Sequence, residues 1–484
     1  MNSCLASLFL EKNENSVSSD LWSLATKAYL QDQMIPLDSI EKMISFLLNR
    51  KIQNEHDYHL FLRRFLSVVL FCLNQKEKDL SFFAPLIKKT QSFDHFSWFL
   101  PAKYIKNLIF SLLKKEEEFS FSFIDESILM VSDKSYNLRY LVPNFVYWCE
   151  MTTTVLLFSL MNKDENLLSK AKKSALMIAN FIDSSDFPAL SLWASESHFD
   201  FMQSLCFFSL VFEAIQNVLS SSFEKVSKNL LDAIKNQKKQ IFLFPVILSK
   251  WMQSFSCEKT EVTLQKAFSL PSIATAGYKG ENIFSAISLA GTNSGIGTIH
   301  IADVKILSFG PQSYPLGDMR NYGVYRQRHD LKSFDDIKIK TVNDACFING
   351  WTRLCREQNN ELQGADLWLN VEAKAGDNKT SLLFDFAKQK INRSLTYTFY
   401  IKAKSCLVDD TTLLPSSLDR FEGKMPQHLS FRGRKGSISI KAKNEEKVHI
   451  IPLAGEKCYW NANFLLAIDP SPKRGACEII IEKV

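Results

Sequence analysis

The chain has 484 residues, 46% hydrophobic and 23% charged, with Lys+Arg 58 against Asp+Glu 52. That length corresponds to roughly two to four domains with enough apolar residues for real cores. High hydrophobicity with a net charge of only +6 excludes a disordered chain, and 16 glycines with ten scattered cysteines exclude collagen-like and disulfide-framework classes.

All 16 glycines lie at or after Gly277, so the first 276 residues contain none. Glycine costs stability inside helices and serves turns between strands, so the chain has two parts. Charge divides at the same place: 29 basic and 29 acidic residues precede Gly277, and 29 basic against 23 acidic make up the rest.

The first part predicts helices. Ser19 and Asp20 read as a cap for the segment that follows, and Pro36 to Ser39 open a helix over 40–48. Apolar residues then recur at three- and four-residue spacing over 59–73, 105–113, 145–161, 167–182, 199–219 and 223–234. Pro36, Pro85, Pro101, Pro143, Pro188 and Pro245 fall at or between these runs, as helix starts do. About ten helices are expected, paired antiparallel, as an α/α toroid or an open solenoid; the absence of a fixed sequence period counts against a regular solenoid.

The second part predicts strands over 284–289, 297–308, 367–375, 381–386, 394–403, 436–442, 447–453, 464–468 and 477–481, bounded by Gly, Asn, Asp or Pro. Leu395, Tyr397, Phe399 and Ile401 alternate with more polar residues, the period of a strand with one buried face. With no helices interleaved, the expected fold is an antiparallel β-sandwich. The division is thus an all-α domain over 1–255, a linker over 256–280 and a sandwich over 281–484.

No apolar run approaches the roughly 18–20 residues of a membrane span; 65–73 and 154–160 are short. The apolar stretch near the N-terminus lacks a preceding positive region, and Glu11 and Lys12 follow it, which predicts no secretory signal and a cytoplasmic location, with signal-independent export left open. The cysteines form no C-x-x-C pair, and several, such as Cys149 beside Trp148 and Cys206 beside Phe207, lie in apolar runs. Free thiols and no structural zinc are expected.

No phosphate-binding loop, H-E-x-x-H, G-x-S-x-G or dinucleotide fingerprint is present, so no cofactor and no metal are expected. The densest polar–aromatic stretch is 291–330, with His300, Asp303, Arg320, Tyr322, Tyr325, Arg326, Arg328 and His329; a plain hairpin with a polar face is the competing reading. His300, Ala302 and Asp303, followed by Ser308 and Phe309, together with the order of an all-α part before a β part, resemble the heparinase II/III-like and alginate-lyase-like polysaccharide lyases. Those proteins often carry His-x-His-Ala-Asp-x-x-Ser-Phe on an early sandwich strand. Thr298 stands here in place of the first His, and the Ser-Phe pair falls later.

The resemblance implies a base that removes the proton α to a uronate carboxylate, a Tyr or His that protonates the leaving oxygen, and a group that neutralises the carboxylate. His300 takes the His role by resemblance, and Tyr322, Tyr325 and Arg328 have suitable chemistry for the catalytic set. Asn144 and Tyr147 are candidate substrate contacts from the helical part, against the reading of a helix start and a core aromatic. Trp193, Glu196 and His198, with Asp200 one turn after Glu196, offer carboxylates beside an aromatic, as a glycoside hydrolase would need; a capped helix start is the competing reading. His329 completes the binding candidates. His56 and His59 near a helix start are expected at the surface, and His95 is expected to pack against its aromatic neighbours.

Arg432, Arg434 and Lys435 make the β part basic, which suits an acidic polysaccharide or an acidic protein. No nucleic-acid motif is present. Two functions are therefore expected: a lyase-like or catalytically degenerate protein acting on or binding an acidic polysaccharide, or a protein-interaction scaffold with a lectin-like β module.

Overall fold

The structure is a computed structural model describing residues 17–75, 80–115, 118–125, 128–130, 145–181, 247–248, 250–251, 254–255, 266–289, 295–313, 325–328, 337–342, 344–358, 361–385, 395–443, 447–453, 462–469 and 476–484. Helices occupy the N-terminal half and antiparallel sheets the C-terminal half. The chain forms two compact units, Met1–Ile178 with Met202–Val262, and Ala179–Phe201 with Thr263–Val484.

In the first unit the described α-helices are α1 Val17–Leu30, α2 Leu37–Asn49, α3 Glu55–Asn74, α4 Ala84–Ser92, α5 Leu100–Leu112, α6 Phe145–Asn162 and α7 Glu165–Ala179. Helix α3 starts where the Asn54 side chain accepts the Asp57 N–H, which satisfies one of the orphan donors of a first turn. Proline sits in the first turn of α4 and of α5, where a missing N–H costs nothing. Ser19 and Asp20 lie inside α1 and do not precede it. The expected helices over 199–219 and 223–234 lie outside the described residues. The core is aromatic: Tyr58, Phe61, Phe65, Phe83, Phe99, Tyr104 and Trp148 are all fully buried. Each such side chain contributes about 1.5–3 kcal/mol by leaving water.

Among the described residues the second unit holds two sheets. One has nine strands in the order β1-β2-β3-β4-β5-β11-β18-β17-β14, formed by β1 Ala267–Leu270, β2 Thr275–Lys279, β3 Ile283–Ser288, β4 Gly297–Ile301, β5 Val304–Ser313, β11 Leu395–Lys402, β14 Phe421–Lys424, β17 Lys447–Pro452 and β18 Phe464–Asp469. The other, with ten, is β13-β12-β15-β16-β19-β10-β9-β8-β6 with β7 paired to β8. Its members are β6 Tyr325–Arg328, β7 Lys338–Val342, β8 Ala345–Gln358, β9 Glu361–Gly376, β10 Lys379–Asp385, β12 Ser405–Val408, β13 Thr411–Leu413, β15 Leu429–Arg432, β16 Ser437–Ala442 and β19 Ala476–Lys483. Every pairing among the described strands is antiparallel.

The sheets face one another. Tyr397 of the first stacks on Phe384 of the second with centroids 4.5 Å apart, Phe464 meets Phe431 edge-on at 5.6 Å, and Ser285 bonds Thr380 at 2.8 Å.

Three expectations change. Strands β1 and β2 lie within 256–280, the stretch read as a linker, because two short apolar runs flank Pro271 and pair with each other. The segment 297–308 is not one strand but a hairpin, β4 and β5, turning at Ala302, whose φ of 51° is left-handed without a glycine. Strand β11 is buried on both faces: Thr396, Thr398 and Tyr400 are as enclosed as Tyr397, Phe399 and Ile401.

Candidate functional site

Two groups of polar residues stand out, one in each unit. In the helical unit, His56, His59 and Arg63 fall three and four residues apart on α3, and Tyr147 and Glu150 three apart on α6, so each set shares one helix face. The faces meet rung by rung. Arg63 donates from Nε to Glu150 Oε1 at 2.6 Å and from Nη2 to Oε2 at 2.7 Å, a bidentate pair. His59 Nε2 lies 3.1 Å from Glu150 Oε2. The Tyr147 hydroxyl lies 3.4 Å from His56 Nδ1.

Phe99, immediately before α5, holds this ladder from the side. Its ring is edge-on to His56, His59 and Tyr147 at 5.4, 5.5 and 5.3 Å. Trp148, on another face of α6, donates to Ser174 of α7 at 2.8 Å and so fixes the rotation of the helix.

Burial grades along the ladder. Arg63, Glu150 and His59 are 5%, 1% and 2% exposed, whereas Tyr147 and His56 are half-buried. Burial pushes His59 down to about 4 against the pull of Glu150, so it is neutral at pH 7. Burial alone would raise Glu150, but Arg63 and then His59 outweigh it and hold the carboxyl at about 2. The result is a fixed ion pair, a neutral imidazole and, at the accessible end, a phenol beside a second imidazole. Such a phenol–imidazole pair can move a proton between itself and a bound molecule.

His56 and His59 were expected at the surface; His59 is buried because Glu150 and Phe99 enclose it. His95 is exposed, with its ring 4.1 Å from Phe96.

In the β unit, His300 of β4 is 2% exposed and lies on the face turned away from the second sheet, with Ile299 and Ile301 on the opposite face. The Thr298 hydroxyl gives its proton to the Ile306 carbonyl at 2.8 Å, so its contact of 2.9 Å with His300 Nε2 assigns the donor hydrogen to that nitrogen. The Phe284 ring is 5.4 Å from the imidazole. His300 stands opposite Lys305 of β5, and Lys305 opposite Lys402 of β11, three basic groups in line across three strands. Burial and then the charge of Lys305 hold the Lys402 ammonium below its usual range.

Asp303 points elsewhere. Its carboxylate accepts the backbone N–H of Arg434 and, at 2.9 Å, that of Lys435, joining the β4–β5 turn to the β15–β16 turn.

Of the sequence candidates, His300 and Tyr147 have described side chains, one in each unit. Tyr325 and Arg328 are the first and last residues of β6. Tyr322, His329, Asn144, Trp193, Glu196 and His198 lie outside the described residues. Sequence reasoning passed over Arg63 and Glu150 and undervalued His59. The signal was present as polar residues at helical spacing inside otherwise apolar runs.

Among the described residues no group of three or more His, Cys, Asp or Glu is placed to hold a metal ion, and no helix is long and apolar enough to cross a membrane.

No protein-family model and no characterised sequence matches the chain. Among solved structures, the chain is similar to a Paenibacillus xanthan lyase at 9% identity and TM-score 0.46, covering 100% of this chain and 59% of that one. It is also similar to a Streptomyces coelicolor chondroitin AC lyase in complex with chondroitin sulphate, at 9% identity and TM-score 0.48, covering 99% and 74%. A point mutant of that enzyme gives 8% identity and TM-score 0.46, with 99% and 74% covered. The chain thus spans less than two thirds of the xanthan lyase, and its resemblance to these polysaccharide lyases is weak.

Proposed function

We propose that the protein is a carbohydrate-associated, lyase-like protein that acts on an acidic polysaccharide. The observation that carries this reading is the half-buried Tyr147 hydroxyl 3.4 Å from His56 Nδ1, backed by the buried His59–Glu150–Arg63 group. β-Elimination from a uronate needs a base for the proton α to the carboxylate and an acid for the departing glycosidic oxygen. In this proposal the electron pair of the broken C–H bond forms the new C=C bond as the C–O bond breaks. His56 accepts the carbon-bound proton, and Tyr147 gives its own to the leaving oxygen, then recovers one from His56. The buried ion pair keeps both helix faces in register throughout. His300, Tyr322, Tyr325, Arg328, Asn144, Trp193, Glu196, His198 and His329 stay in the proposal as candidates from the sequence alone.

The test is incubation of the full chain with a panel of uronate polymers, following the ultraviolet absorbance of the unsaturated product. A rise supports the reading, and none across the panel removes it. A second reading, binding without turnover, is favoured by the enclosure of His300, which is 2% exposed beneath Phe284. Retention on an acidic polysaccharide with no absorbance change would select it.

A further inference from the structure

The loop joining β15 to β16 collects charge. Arg432, Arg434 and Lys435 are exposed, and exposed Lys404 joins them, its N–H donating to the Arg432 carbonyl at 2.7 Å. Among the described residues none of these four makes an ion pair. Several lysines elsewhere in the same unit are paired: Lys379 and Lys441 face Glu482 at 3.3 and 3.6 Å, Lys443 faces Glu478 at 2.6 Å, and Lys447 faces Glu422 at 2.6 Å.

The loop is also held in place. Asp303 accepts the N–H groups of both Arg434 and Lys435, and those bonds keep its carboxyl below the usual range although burial works the other way. Gly433 donates to the Gly436 carbonyl at 2.8 Å. A Cβ on Gly433 would stand 2.1 Å from Asp303 Oδ1, and one on Gly436 would stand 2.9 Å from the Ala302 Cβ, so the two turns fit only with glycine at both places. The Asp303 carboxylate is thus spent on backbone N–H groups, and among the described residues the exposed side chains of the loop have no ion-pair partner.

We propose that Lys404, Arg432, Arg434 and Lys435 form a pre-arranged docking surface for a linear acidic polysaccharide, with Asp303 as its positioning residue. This rests on the proposed function and adds to it a binding surface carried by the β unit alone. Four cations converging on one loop suit a polymer with repeated carboxylates, since each contact releases a counterion and fixed charges cost little reorganisation. The loop offers no ring for stacking bases: Phe431, next to Arg432, points toward the other sheet and is 0% exposed. Single-stranded nucleic acid is held largely by such stacking.

The experiment measures binding of the full chain to polygalacturonate over a salt series, with neutral dextran and a single-stranded RNA as comparisons. Replacing Arg432, Arg434 and Lys435 together by Ser should weaken polygalacturonate binding by about ten- to a hundredfold at low salt and flatten its salt dependence, with an unchanged circular dichroism spectrum. Asp303→Asn should weaken binding less and leave the salt slope at its wild-type value, because every cation remains and only the loop is released. Equal binding by wild type and triple variant overturns the surface while leaving the functional reading intact. Wild type that binds no acidic polysaccharide overturns both, and tighter binding to RNA overturns the polysaccharide class. A salt slope that falls in Asp303→Asn overturns the positioning role.

Discussion

Arg63 and Glu150 meet through two parallel hydrogen bonds, 2.6 and 2.7 Å long, between helices α3 and α6, with both side chains withdrawn from water. A buried pair of this kind is not a large net source of stability, since desolvation consumes much of its Coulomb energy. Breaking it is costly, because the abandoned charge has no solvent. Arg63→Ala should therefore destabilise the protein by about 3–5 kcal/mol, and the double replacement Arg63→Met with Glu150→Leu by much less. Denaturant midpoints of the three proteins measure this; equal losses in single and double variants would contradict it.

Acid should weaken the same place in two steps. His59 lies at about 4, below the ordinary 6.5, so between those values the unfolded chain binds a proton that the native imidazole refuses. Stability is full above about 6.5 and falls as the pH drops toward about 4. Glu150, held at about 2, acts with the same sign at lower pH: its contribution is present above the ordinary carboxylate value and is lost as the pH falls toward about 2. Urea unfolding from pH 8 to pH 4, comparing wild type with His59→Gln, checks the first step. The slope between pH 6.5 and pH 4 should be shallower in the variant.

Replacing His300 should show up first as a loss of stability. Its Nε2–H is bonded to Thr298 within an enclosed sheet face, so His300→Ala removes a partner and leaves a buried hydroxyl short of a donor. A loss of about 1–3 kcal/mol is expected, read from the thermal or denaturant midpoint. An unchanged midpoint with lost turnover would return His300 to a catalytic role.

Cys72, Cys149, Cys346, Cys406 and Cys477 are buried. Burial pushes the Cys346 and Cys406 thiols up to about 12, so almost no thiolate is present at neutral pH. These five should resist alkylation in the native protein and react on unfolding, as peptide mass mapping before and after denaturant would record. Fast native labelling at Cys346 would contradict their enclosure.

The two-part layout was legible because it rests on bulk physics. Glycine absent before Gly277 and helical periodicity over most of that stretch separate a helical part from a strand part, although β1 already precedes Gly277. Strand β8, Ala345–Gln358, was not legible: Asn349, Gly350 and Arg353 interrupt any alternation, and its length is set by pairing with β9. The β4–β5 turn was hidden for a similar reason, since Ala302 adopts a left-handed backbone held by its surroundings. The polar ladder lay half in view. Tyr147 stood out beside Pro143, yet its neighbour His56 is 91 residues away, and only the packing of α3 on α6 brings the two together.

The most direct test of the functional reading is the turnover of uronate polymers by Tyr147→Phe. That variant keeps the ring against Phe99 and loses only the hydroxyl beside His56. If Tyr147 protonates the leaving oxygen, kcat should fall by about 10²–10⁴ with KM and the denaturant midpoint little changed. Wild-type turnover by Tyr147→Phe would contradict the assignment.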